Sequence, residues 1–219
     1  MPDDEPRDRS RARVLLLCGP SGSGKTRLAD QLHRRHGWPI VRLDDFYLDE
    51  DDPRLPRHRT LALPDWDDPR SWDGAAAARA LEALVTTGSA ELPDYDISRS
   101  RRVGSHRIGC APTHIVIAEG VFAAELIGPL AERGLLHGAW CVRGRPLTTM
   151  IRRLVRDVKE RRKPPLVLAR RGWALMRAEP TLIARAQAKG ASPTTAAELL
   201  AALDPVARAA EAEGRSGIR

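Results

Sequence analysis

Gly19-Pro20-Ser21-Gly22-Ser23-Gly24-Lys25-Thr26 places two glycines four residues apart and follows the second with lysine and threonine. That spacing is the P-loop pattern. Its chemistry is phosphate binding: successive backbone N–H groups form a nest, and the start of the following helix adds its own unpaired N–H groups and a favourable dipole. Gly19, Ser21, Gly22, Ser23 and Gly24 are therefore expected to hold the phosphates of a nucleotide, with Lys25 neutralising charge and the Thr26 hydroxyl on Mg²⁺. Three further groups extend the set. Asp44, with Asp45 beside it, supplies a carboxylate able to accept the proton of a hydroxyl acceptor. Glu119 is placed to act on the metal ion or its waters. The segment IRRLVRDVKERRK sets Arg153 and Arg156 three residues apart, on neighbouring positions of one helix face, with Arg161 and Lys163 near the end of that helix. Such a cluster suits a lid that spreads charge on a transferring phosphoryl group and keeps water out.

These residues need elements to position them. Val14 to Cys18 is a continuous apolar run ending in Gly-Pro, the pattern of a strand buried on both faces. The P-loop follows at once, and Leu28, Ala29 and Leu32 predict a helix from Lys25 to about His36 with Gly37 as its stop. A second strand is expected over 39–43 and ends on Asp44. Residues 48–72 read as a long acidic, Pro-rich connection, a length that goes with function. A helix over 73–87 precedes two short strands near 92–97 and 103–110, read as a hairpin arm touching substrate. Ile115 to Ala118 is a further buried strand closed by Glu119-Gly120, followed by a helix near 123–133, a strand over 138–142, the basic helix over 147–162 and a helix over 166–178 that Pro180 interrupts. The last 30 or so residues read as one helix and a frayed end. Alternating strands and helices predict an α/β fold with a parallel sheet, and Gly19, Asp44 and Glu119 each follow a strand, so one sheet edge gathers them.

At 219 residues the chain suits one domain, expected over 12–205, with a flexible tail over 1–11 and a frayed tail over 206–219. The net charge is +7, yet lysine occurs only at 25, 159, 163 and 189, so arginine carries nearly all the positive charge. Arginine forks suit phosphate oxygens. Because much of this arginine is clustered, a small-molecule partner is expected rather than a nucleic acid. Cys18, Cys110 and Cys141 show no metal or disulfide spacing and read as buried apolar residues of a reducing compartment. No apolar run approaches the ~20 residues of a bilayer span, so no membrane partner and a cytoplasmic location are expected. The absence of asparagine removes the guanine-reading Asn-Lys-x-Asp motif of GTPases.

Taken together, residues 14–163 resemble the uridine kinase family, within the P-loop small-molecule kinases. Asp44-Asp45-Phe46-Tyr47 is similar to the family's Asp-Ser-Phe-Tyr, which passes the role of base to Asp44. Asp65-Trp66-Asp67-Asp68-Pro69 is similar to Asn-Phe-Asp-His-Pro, which passes ribose binding to Asp67. Pro93-Asp94-Tyr95-Asp96 is similar to Pro-Val-Tyr-Asp, with Tyr95 near the nucleobase. Residues 152–163 resemble the family's lid, which carries phosphate binding to Arg153, Arg156 and Arg161, with Lys163 in place of an arginine. An ungapped match puts Ser100 where the family has a base-recognising histidine, and His106 lies six residues on. The resemblance implies an ATP- and Mg²⁺-dependent kinase acting on the 5'-hydroxyl of uridine or cytidine, in a protein family that often forms homo-oligomers. Two alternatives stay open: another acceptor such as nicotinamide riboside, and a P-loop regulator or nucleic-acid-associated ATPase.

Overall fold

The computed structural model describes residues 12–57, 63–143 and 180–203. Five parallel strands form its central sheet: β1 (Arg13–Cys18), β2 (Ile40–Arg42), β5 (Ile115–Glu119), β6 (Leu136–Val142) and β7 (Ser192–Thr194), in the order β2-β5-β1-β6-β7. Two strands between them, β3 (Ser89–Asp96) and β4 (Arg101–Gly109), pair antiparallel as a separate hairpin.

The period of two along β1 explains the layering. Val14, Leu16 and Cys18 point into a core shared with α2 (Gly74–Thr87), α3 (Ile127–Glu132) and Ala186 of the helical residues 180–188. Leu15 and Leu17 point to the other side, against Leu28 and Leu32 of α1 (Lys25–His36) and Leu199 and Leu203 of the helical residues 196–203. Both faces are covered, which is why the strand reads as an unbroken apolar run. α1 ends where expected, on Gly37 in the left-handed region with φ 69°. Asp73 caps α2 by accepting from the Ala76 N–H at 2.9 Å.

Several boundaries differ from the sequence expectation. The second strand stops at Arg42, because Leu43 turns into a 3-10 segment, Leu43–Phe46, that buries Leu43 and Phe46. The helix expected near 123–133 is a 3-10 turn, Ala123–Leu126, running into the short α3. The helices expected over 147–162 and 166–178 lie outside the described residues, and Pro180 is the first described residue of a helix. The final 30 residues contain a strand: Ser192-Pro193-Thr194 pairs with β6. It carries no apolar run and tolerates proline because it lies at the sheet edge. Cys18 and Cys141 are buried as expected, whereas Cys110, just past the hairpin, is only partly so.

Candidate functional site

The P-loop lies between β1 and α1, at the carboxyl ends of the strands. Gly19 has φ 129°, and a Cβ there would lie 2.6 Å from the Val142 carbonyl oxygen of the neighbouring strand, so only glycine fits. Gly24 is the N-cap of α1 and offers no side-chain cap, and the first turn holds no acidic residue. The first N–H groups of the helix therefore face outward without a side-chain acceptor. Ser23 Oγ is buried with no hydrogen-bond partner among the described residues. Lys25, 6% exposed, donates from Nζ to the carbonyls of Gly19 at 2.9 Å and Pro20 at 3.1 Å, arching across the loop. An orphaned hydroxyl, a free helix start and a buried ammonium fit a polyphosphate.

Thr26 and Glu119 meet at the mouth of this loop. The Thr26 hydroxyl donates to Glu119 Oε1 at 3.0 Å, across 93 residues of sequence. Burial pushes the Glu119 carboxyl above the ordinary carboxylate range, Asp44 adds to that, and Lys25, the Thr26 hydroxyl and Arg42 oppose it. A hydroxyl and a carboxylate side by side are oxygen ligands of the kind Mg²⁺ takes.

Asp44 and Asp45 point to different neighbours. Asp44 Oδ1 accepts from the Val121 N–H at 3.2 Å, two residues beyond Glu119, which fixes its carboxylate against the turn that ends β5. Gly120 makes room for it: a Cβ there would lie 2.9 Å from Asp44 Oδ1 and 2.8 Å from Leu43 Cβ. Asp45 lies nearer the hairpin. Burial pushes its carboxyl up to about 6, Asp44 and Asp94 reinforce the shift, and Arg42 and His106 work against it.

Beyond Asp44 stands an aromatic wall. Tyr47 packs against Trp66 at 5.8 Å between ring centroids, Tyr95 at 6.1 Å and Phe122 at 6.0 Å. Burial raises the Tyr47 hydroxyl, and Asp44, Asp67 and Tyr95 act in the same direction, so Asp67 and Asp44 flank this ring. Asp67 itself is exposed, in the loop where its N–H donates to Asp65 Oδ1 at 3.2 Å. Tyr95 donates its hydroxyl to the Leu48 carbonyl at 3.1 Å, and burial pushes its pKa up to about 12. Trp72 supports the wall from below, donating to the Leu43 carbonyl at 2.6 Å.

Ser100 and His106 occupy different levels of the arm. Ser100 is in the turn at its tip with φ 49°, and its carbonyl accepts from the Glu50 N–H at 2.9 Å. His106 lies midway along β4, with Nδ1 2.7 Å from Asp94 Oδ1. The structure thus brings Lys25, Thr26, Glu119 and Asp44 together, with Asp67 and Tyr95 beside Tyr47 and His106 beside Asp94 and Asp45. Arg153, Arg156, Arg161 and Lys163, the residues expected to form a lid, lie outside the described residues. Sequence reasoning missed Tyr47, Trp66 and Phe122 as a wall, and Asp94 as the partner of His106. The first two sit inside quoted motifs, but nothing local marks Phe122, which reaches the wall only through the sheet.

A family model described as an AAA domain matches residues 14–90, from β1 into β3. A uridine kinase from Bacillus pumilus is 30% identical over 154 residues, 70% of this chain and 71% of that protein. The inorganic pyrophosphatase TTM2 of Arabidopsis thaliana is 28% identical over 154 residues, 69% of this chain but 21% of that longer protein. Among solved structures, a protein provisionally described as a fructose transport system kinase, from a Silicibacter species, superposes with a TM-score of 0.59 at 21% identity, covering 81% of this chain and 88% of that one. No described helix is long and apolar enough to cross a membrane.

Proposed function

The chain belongs to the uridine kinase family and is a phosphotransferase with an alcohol group as acceptor, and from that premise we propose that it phosphorylates the 5'-hydroxyl of a pyrimidine nucleoside, uridine or cytidine, at the expense of ATP. The observation that carries the reading is the placement of Asp44, whose carboxylate is held by the Val121 N–H at 3.2 Å, next to the Thr26–Glu119 pair.

ATP bound with Mg²⁺ would supply the phosphoryl group and a divalent charge on the phosphate oxygens. The chain's own residues then divide the work. The P-loop N–H groups and the Ser23 hydroxyl bind phosphate, and Lys25 turns its ammonium from the loop carbonyls toward that charge. Thr26 and Glu119 hold the metal. Asp44 accepts the proton of the acceptor hydroxyl or orients it, a role that needs a fixed carboxylate rather than a strong base, since phosphoryl transfer is mostly positioning. Asp67 binds the ribose hydroxyls, Tyr95 lies against the base, and Ser100 and His106 belong to the arm that covers it. Arg153, Arg156, Arg161 and Lys163 close over the phosphates and exclude water. Residues 12–205 act as one kinase domain.

Nicotinamide riboside is the second acceptor, favoured by the carboxylates that gather beyond Asp44. The test is product identification. Protein, ATP, Mg²⁺ and each of uridine, cytidine and nicotinamide riboside are incubated and the product is read by mass and phosphorus resonance. A 5'-monophosphate formed in step with ADP supports the reading. ADP release that ignores nucleosides and rises with nucleic acid, steeply weakened by salt, would replace it with a nucleic-acid-associated ATPase.

A further inference from the structure

The acceptor end of the site holds side chains that phosphoryl transfer does not call on. In the hairpin, Asp94 pairs with Gly104 and Leu92 with His106, so Asp94 and His106 share the face of the buried Leu92. That hairpin packs on the 3-10 turn Leu43–Phe46, which carries Asp44 and Asp45. Asp94 Oδ1 and His106 Nδ1 are 2.7 Å apart, and the two side chains are 46% and 49% exposed, within reach of a solute. A Cβ at Gly104 would come within 3.4 Å of Asp94 Oδ2, so the glycine opposite leaves the carboxylate its space. Asp45 completes the group, in electrostatic contact with Asp94, His106, Asp44 and Arg42.

The chemistry of this group is one-sided. Ionised carboxylates only accept hydrogen bonds, so Nδ1 of His106 must carry the proton that faces Asp94, and Nε2 of the neutral ring is then an acceptor as well. Asp44 and Asp94 lie around Asp45, with Arg42 as the permanent cation beside it, and Asp67 lies beside Tyr47. Beside them the Tyr47–Trp66–Tyr95 wall offers a flat apolar surface. A planar head group that presents N–H donors or a positive charge matches such a surface with an acceptor-rich edge, whereas a carbonyl oxygen would meet lone pairs.

Resting on the nucleoside kinase reading, we propose that Asp45 and the Asp94–His106 pair are specificity-determining residues that read the acceptor's head group, selecting rings that turn an exocyclic amine or a positive charge toward this edge over rings that turn a carbonyl oxygen there. Cytosine, with its exocyclic amine, and the cationic pyridinium of nicotinamide riboside meet that description. Uracil keeps a donor at N3–H and shares the C2 carbonyl, but it presents a carbonyl where cytosine has the exocyclic amine, and so fits this edge less well.

The test compares kcat and KM for uridine, cytidine and nicotinamide riboside at pH 8 with saturating ATP and Mg²⁺, in the parent and in Asp45→Asn, Asp94→Asn and His106→Gln. The parent should favour cytidine or nicotinamide riboside over uridine by about tenfold in kcat/KM, the worth of one hydrogen bond to a charged group, and the difference should lie in KM. Each variant should narrow that gap to less than about threefold while the KM for ATP stays put. Asp94 and His106 are exposed enough that their variants carry the test should Asp45→Asn fail to fold. Uridine used as well as the others, or all three acceptors lowered equally by the variants, overturns the proposal and leaves the kinase reading standing. No turnover of any nucleoside by the parent overturns both.

Discussion

Gly120→Ala tests how Asp44 is held. Gly120 does not have a positive φ, so alanine meets no backbone penalty there and the cost is steric alone. The new methyl would stand 2.8 Å from Leu43 Cβ and 2.9 Å from Asp44 Oδ1, about 0.6 and 0.5 Å inside the 3.4 Å at which ordinary contact begins. Leu43 Cβ is the root of a side chain that is 1% exposed, so it cannot swing aside. The turn bearing Asp44 must shift instead, losing the Val121 N–H bond at 3.2 Å. Overpacking of this kind destabilises by about 1–3 kcal/mol. A displacement of the order of 1 Å at a reacting group costs roughly a hundredfold in rate. The expected result is a kcat reduced about ten- to a hundredfold, a small fall in melting temperature and an unchanged Kd for ATP by calorimetry. Gly128→Ala is the control: nothing lies within 4 Å of its added methyl, in the first turn of α3. It should keep full activity and gain about 0.5–1 kcal/mol of stability. A Gly120→Ala protein with the kcat of the parent would refute the idea that this turn fixes the carboxylate.

Three other expectations follow from single residues. Burial raises Glu119, so its ionised form costs stability: the contribution is present below the unfolded-chain pKa and is lost as pH rises through the raised folded value. Ligand-free Glu119→Gln should therefore melt above the parent at pH 8, by a margin that shrinks on acidification, while its Mg²⁺-dependent turnover falls by about a hundredfold or more; a lower melting point at pH 8 contradicts this. With Asp45 pushed up to about 6, and Arg42, Asp44, Asp94 and His106 facing it, kcat/KM for a donor-bearing acceptor should rise with pH between 5 and 7, and Asp45→Asn should flatten that rise. Trp72→Phe leaves the Leu43 carbonyl without the donor it has at 2.6 Å, and chemical denaturation should show a loss of about 1–3 kcal/mol.

The parts of this site legible in the sequence are those written in consecutive residues. The P-loop, the strand it follows and the helix it opens come from one uninterrupted stretch whose apolar pattern and glycines state their geometry locally. Asp44 and Glu119 were legible for a similar reason, each being an acidic residue at the carboxyl end of an apolar stretch read as a strand. The hairpin's existence was also readable, but not its register, and register decides that Asp94 and His106 share a face. β7 was illegible because Ser-Pro-Thr forms a strand only through the edge of β6. The wall around Tyr47 draws residues from 66, 95 and 122, brought together by the order of the sheet and the fold of the long acidic loop. No window of sequence contains that arrangement.

The account rests most heavily on the Asp44 carboxylate, and the direct measurement is nucleoside 5'-monophosphate formation by Asp44→Asn, with ATP binding followed by calorimetry on the same sample. The account predicts ATP affinity within about twofold of the parent and product formation lower by a factor of about a hundred or more. An Asn variant that phosphorylates the nucleoside at the parental rate would contradict it.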